Sequence, residues 1–155
     1  MTPAGAGSYV ADQASSPVNR REAHDQGAAT MATAAKDTTP VTMDIEIAED
    51  RSCELDDFTV NFVTIHHDHD LAPMLASLPD GRCQCPHWGV LTKGRMTVTY
   101  ADHEEVIEAG DAYYMPPGHT PAADAGTELI QFSPTDLLAQ TEAAIAKAMQ
   151  AASRP

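Results

Sequence analysis

From Thr42 to Phe132 the apolar residues come in short alternating runs, each closed by a cluster of turn formers. Met43, Ile45 and Ile47 alternate with Asp44 and Glu46, the period-2 pattern of a half-buried strand. Phe58, Val60, Phe62 and Thr64 repeat it, with Val63 and Ile65 on the opposite face. Trp88 to Leu91 and then Met96, Val98 and Tyr100 flank Thr92-Lys93-Gly94-Arg95, a strand–turn–strand signature. Further turns at Ala101–Glu104, Gly110-Asp111, Pro116-Pro117-Gly118 and Asp124–Thr127 bound the Val106-Ile107, Tyr113–Met115 and Leu129–Phe132 segments. Strands recurring at roughly 8–12 residues make an all-β sandwich or barrel.

Only the C-terminus breaks this rhythm. Leu138, Thr141, Ile145 and Met149 form a helical stripe on an alanine-rich segment. Ser133 is placed to cap this helix, Pro134 to open it and Asp136 to complete a capping box. Its polar face gathers no chemical groups, so it is expected to pack outside the barrel or on a partner subunit. Residues 1–41 are poor in large apolar side chains and read as a disordered N-terminal extension. The domain reading is therefore an extension at 1–41, a barrel at 42–132 and a helix at 133–155.

Charge excludes whole classes of partner. Nine Lys and Arg face 23 Asp and Glu, a formal net charge of −14. The extension is nearly balanced, so the acidity belongs to the body. A surface of this sign repels the phosphates of nucleic acid and of anionic lipid. No apolar run reaches the ~18–20 residues that span a bilayer. The first 30 residues contain no unbroken apolar export segment, and the three cysteines (Cys53, Cys83, Cys85) are an odd number. A cytoplasmic protein with reduced thiols is expected.

Two stretches concentrate chemistry. In Cys83-Gln84-Cys85-Pro86-His87 the thiols and the imidazole are two apart, so an extended chain points all three to one face. Thiolate and imidazole together suit Zn(II) and other borderline ions, although buried cysteines also serve as small apolar residues. His119 follows the Pro116-Pro117-Gly118 corner, a rigid support for a ligand. A third cluster, His66-His67-Asp68-His69-Asp70, offers ion-binding groups but reads first as a solvated loop. Trp88, Tyr113, Tyr114 and Met115 read as barrel lining or core. Glu104, Glu105 and Glu108 form an acidic hairpin face, and His103 lies in an exposed turn.

Together these stretches resemble the small single-domain cupins. Gly110, Pro116 and Gly118 match the second cupin motif, with His119 following at once where the commoner pattern has its histidine at the place of Pro121. Counting back seven from Gly94 places His87 where the first motif usually has Glu; four further back stands Cys83, and the first motif histidine would fall on Gly81. The sequence is similar to a variant subgroup with C-x-x-P-H-W-G and P-P-G-H motifs. The resemblance implies a cupin-type jelly-roll barrel with a C-terminal helix. It also implies a divalent metal held by Cys83, His87 and His119 with Cys85 a possible fourth ligand, Zn favoured and Fe or Cu the alternatives. An enzyme acting on a small organic molecule (oxygenase, isomerase, lyase or cyclase type) follows, with Tyr113 or His67 as acid/base. A non-catalytic ligand-binding or sensing module is the other reading. Cupin barrels of this size usually pair, so a homodimer is expected.

Overall fold

The computed structural model describes residues 31–153. Ten strands form two antiparallel sheets, followed by a long helix. In the six-stranded sheet, β1 (Val41–Asp44), β2 (Ala48–Leu55), β3 (Phe58–Ile65), β10 (Glu128–Pro134), β5 (His87–Lys93) and β8 (Ala112–Met115) lie side by side in that order. The four-stranded sheet has the order β4 (His69–Asp70), β9 (Thr120–Ala123), β6 (Arg95–Thr99) and β7 (Glu104–Glu108). A short helix α1 (Ala72–Leu75) and a 3₁₀ turn at Pro79–Gly81 lead from β4 towards β5, and α2 (Thr135–Ala152) ends the fold.

Two apolar clusters hold these layers. Leu91, Met96, Val98, Ile107, Met115 and Leu129 interdigitate between the sheets. Leu75, Cys83, Cys85 and Leu138 form the second cluster, joined by Leu71, Leu78 and Ile145, where α2 packs on α1. Each fully buried Leu or Val, such as Leu91 and Val98, contributes roughly 1.5–3 kcal/mol.

The alternation in the sequence locates most strands, with five departures. On β3 the row of Phe58, Val60 and Phe62 is the outer one, Phe58 meeting Trp88 there, while Asn61, Val63 and Ile65 line the interior. The Met43–Ile47 segment is not one strand: β1 ends at Asp44, and Ile45 N–H and C=O exchange bonds with Ala48 in a tight turn. Beyond it lies β2, whose sequence AEDRSCEL has no apolar alternation and gives no strand signal. It is a strand because every residue from Ala48 to Leu55 pairs with β3 through a two-residue turn at Asp56-Asp57. Trp88 and Tyr114 are not lining or core: they stack at 5.0 Å on the outer face, 42% and 52% exposed. Finally, α2 begins at Thr135 with no side-chain cap, because β10 runs on to Pro134 and Ser133 is buried inside.

Part of the expected extension is built onto the barrel. Lys36 Nζ donates to Thr64 Oγ1 and pairs with Glu128 Oε2, both at 2.9 Å. Thr39 is buried, and its carbonyl accepts from Arg51. Polar anchors, invisible to an apolar-content argument, hold residues 35–40 against β2, β3 and β10. The rest of the expected disordered extension, residues 1–30, lies outside the described residues.

On the inner face, Asn61, Gln131, Gly89 and Tyr113 form one row across β3, β10, β5 and β8. Tyr113 leans over Gly89 and its hydroxyl donates to Gln131 Oε1 at 3.1 Å. A Cβ on residue 89 would stand 2.5 Å from Tyr113 Cζ and 2.6 Å from the Ile130 carbonyl oxygen. Gly89→Ala is therefore expected to cost ~1–3 kcal/mol through overpacking, lowering the thermal midpoint by about 5 °C or more. Circular dichroism melts of the two proteins check this; equal midpoints would contradict the packing.

Candidate metal centre

The local backbone brings the first two chemical stretches together. Cys83 N–H donates to the His119 carbonyl at 2.9 Å, and Gly118 N–H donates to the Cys83 carbonyl at 2.7 Å. Gly118 adopts φ +93°, the left-handed value that the third residue of a type II turn needs. Pro116-Pro117-Gly118 thus turns the chain so that His119 pairs with Cys83. His87 arrives from the start of β5, next to Met115 of β8.

Cys83, His87 and His119 are 2%, 5% and 1% exposed, and each offers a ligand atom within 4.8 Å of the others. Cys83 Sγ lies 3.4 Å from His87 Nε2, and the two imidazoles meet edge-to-face at 5.1 Å between centroids. His119 Nδ1–H donates to the Pro116 carbonyl at 2.6 Å, which leaves its Nε2 as the nitrogen with a free lone pair. His87 Nδ1 is held by Ser133 Oγ at 2.7 Å, so its Nε2 is likewise the nitrogen turned towards the thiol. Outer partners that fix the tautomer of each histidine are the usual support of a ligating imidazole.

Burial keeps all three residues uncharged on their own. It pushes the His87 imidazole down to about 3, helped by the neighbouring His119. It lowers His119 as well, and raises the Cys83 thiol against the opposing Thr141 contact. A cation would reverse that logic by stabilising a thiolate. The 3.4 Å between Cys83 Sγ and His87 Nε2 suits one: with bonds of ~2.0–2.3 Å, donors around tetrahedral zinc stand roughly 3.3–3.8 Å apart. Three protein donors leave a coordination position open.

Cys85, expected as a possible fourth ligand, does not join this group. Its Sγ–H points to the Pro86 carbonyl, it packs among Leu75 and Leu138, and burial pushes its thiol up to about 12. The strand parity that placed it beside Cys83 does not apply, because regular pairing in β5 starts only at His87. Neither expected acid/base group lines the central cavity. Burial raises the Tyr113 phenol, and its hydroxyl is held by Gln131. His67 is exposed on the surface. Its cluster is taken apart by the fold: Asp68 accepts from Ala125 N–H, Asp70 caps Ala72, and only His69 reaches the cavity.

That cavity, about 210 Å³, lies between the two apolar clusters and opens beside the trio. Ile47, Val63, Met96 and Leu129 are among its apolar walls. Helix α2, expected to stay outside the chemistry, takes part: Thr141 Oγ1 lies 3.2 Å from Cys83 Sγ, and Leu138, Glu142 and Ile145 line the cavity. Asp50 and Asn61 line it too: the strand carrying Asp50 gives no sequence signal, and Asn61 is a polar residue on the inward row of β3, between apolar neighbours that mark the other face.

The jelly roll is familiar from solved structures. The chain is similar to a protein of unknown function from Rhizobium leguminosarum bv. viciae 3841 (15% identity, TM-score 0.52, 68% of this chain and 97% of that one). It is also similar to the polyketide cyclase RemF from Streptomyces resistomycificus (12% identity, TM-score 0.50, 68% and 80%). An RmlC-like cupin from Shewanella frigidimarina NCIMB 400 aligns with TM-score 0.48 at 13% identity, over 68% and 93%. At these identities the likeness concerns architecture alone: the chain has the cupin jelly-roll fold. Neither a protein-family model nor a curated protein matches it. Among the described residues, no helix is long and apolar enough to cross a membrane.

Asp50 makes the cavity sensitive to pH. Burial raises its carboxyl from 3.8 to about 6; Glu142 on α2 adds to the rise, and the Asn61 hydrogen bond opposes it. The folded state therefore holds this proton more tightly than the unfolded chain. Its stabilising effect is complete below pH 3.8 and is lost as pH rises through 6. Asp50→Asn should remove that dependence. Relative to the variant, the parent should lose roughly 2–3 kcal/mol between pH 3.5 and 7.5, at about 1.4 kcal/mol for each tenfold difference in proton affinity between the folded and unfolded chain. Urea melts of both proteins across this range provide the check; parallel curves would refute it.

Proposed function

We propose that this chain is a metal-dependent cupin-fold enzyme that acts on a small organic molecule inside its barrel. The observation that carries the reading is the trio of Cys83, His87 and His119, buried, mutually close and open on one side to an apolar cavity. A structural zinc site closes its shell with four protein ligands, whereas a catalytic site keeps a position for water or substrate. Cys83 Sγ, His87 Nε2 and His119 Nε2 would hold the ion. Thiolate in the donor set favours Zn(II), with Fe(II) or Cu as alternatives. When bound, such an ion acts as a Lewis acid towards an oxygen of the substrate.

The protein's own groups have separate tasks in this reading. Ser133 and the Pro116 carbonyl orient the two imidazoles, and the Thr141 hydroxyl donates to the thiolate. The apolar walls exclude water and seat the body of the substrate. Elemental analysis of protein purified without added metal tests the centre, alongside His87→Ala and His103→Ala. His103 sits in an exposed turn paired with Asp102, so its loss should leave metal content unchanged. His87→Ala leaves two donors and should reduce bound metal at least tenfold while the fold persists. A metal-free parent, or a metal-loaded His87→Ala protein, would overturn the assignment.

The homodimer is part of this proposal. Among the described residues no strand pairs with the outer edge of β1, and the exposed Trp88 and Tyr114 offer apolar surface on the outer layer. Light scattering at micromolar concentration is expected to give twice the 16.5 kDa chain mass; the monomer mass would refute pairing.

A further inference from the structure

The wall of the cavity formed by β2 and β3 carries two polar side chains that nothing in the metal centre uses. Asn61 is 4% exposed, and its Nδ2 donates to Asp50 Oδ2 at 2.8 Å. That bond settles which way the amide points. It leaves Asp50 Oδ1 and Asn61 Oδ1 buried, both without a hydrogen-bond partner among the described residues. A buried acceptor left unmade is costly, and most such groups in folded proteins find a partner. Both residues line the cavity, and its lining contains no Lys or Arg. Glu142 faces the same space from α2. This end of the cavity therefore presents two free acceptors and negative charge, with no cationic side chain to hold an anionic group; the Gln131 amide across from Asn61 is a neutral donor.

We propose that Asp50 and Asn61 form a recognition subsite for a hydroxyl group of a neutral, otherwise apolar ligand. This rests on the reading of the cavity as a binding site for a small organic molecule, and it adds that molecule's chemical class. The hydroxyl donates to Asp50 Oδ1 or Asn61 Oδ1, and the apolar body fills the space towards Val63, Met96 and Leu129. An ionised carboxylate is the stronger of the two acceptors. At pH 8 Asp50 is in that form, since burial and Glu142 raise its carboxyl only to about 6. An alkoxy group in the same place has no proton to give and leaves both oxygens unmet. A single ring is a suitable probe, because benzene enters an apolar cavity of roughly 150 Å³.

The test compares phenol with anisole by titration calorimetry at pH 8 on the full chain, in the parent and in Asp50→Asn. The substituted amide keeps the volume. It must turn its oxygen to Asn61 Nδ2, so an N–H replaces the free acceptor. The parent is expected to bind phenol about tenfold more tightly than anisole, the worth of one charge-assisted hydrogen bond. In Asp50→Asn the preference should fall below threefold, and metal content measured on the same samples should not change. Asp50→Ala serves as the second variant with the same expected loss. Equal affinities in the parent would overturn the proposal, because trapped water then satisfies the two oxygens. A preference retained in both variants would overturn it too, because the hydroxyl is then read at the trio. A parent without metal that still prefers phenol through Asp50 would uphold the subsite while removing the metal reading.

Discussion

Two backbone hydrogen bonds between Cys83 and the Gly118-His119 segment govern everything that makes this barrel chemically specific. They join a loop that precedes β5 to the corner that precedes β9, two places distant in the sequence and in different layers. Without them, Cys83 would hang from an irregular segment and His119 would begin a short strand with no fixed depth. With them, the thiol and the imidazole enter the interior side by side. His87 needs no such device, because β5 pairing with β8 and β10 already sets its direction. The trio is thus supported twice by local backbone bonds and once by the sheet ladder.

The interior is graded in polarity, and the gradation follows the rows of the six-stranded sheet. Val63 and Leu129 are direct partners at one level and belong to the apolar layer. Asn61 and Gln131 face each other one step on, and Thr59 and Ser133 one step beyond that. Because successive inward residues lie about 7 Å apart along a strand, the polar groups fall into two bands, one holding His87 and one holding Asn61. Most of them are hydrogen-bonded, as burial requires. The exceptions, at Asp50 and Asn61, lie on the cavity, where a ligand can meet them.

Much of this was legible in the residues. The turn clusters at Gly94, Gly110 and Gly118 mark real corners, since all three glycines adopt positive φ. Cys83, His87 and His119 could be picked out as a group by parity and by the resemblance to cupins. The omissions share a cause. β2 has an acidic sequence with no period, and its conformation comes from pairing with β3, so Asp50 went unnoticed with it. Local helix rules make Thr141 a stripe member and Ser133 a cap. Their roles depend on what lies across the cavity, and no local rule contains that.

Sequence by itself determined the class of architecture, because alternation and turn chemistry act within a few residues and are carried by backbone sterics. It also determined the kinds of donor available, thiols and imidazoles beside a Pro-Pro-Gly corner and a strand start. Tertiary structure decided which donors meet: Cys85 turned into the apolar cluster under α2 while Cys83 turned to the histidines, though parity treated them alike. It decided, too, that an acidic strand would present one carboxylate inward. The physical reason is that a side chain's neighbours across a sheet or a cavity are set by long-range register. That register is selected by burial summed over the whole chain, and no single segment encodes it.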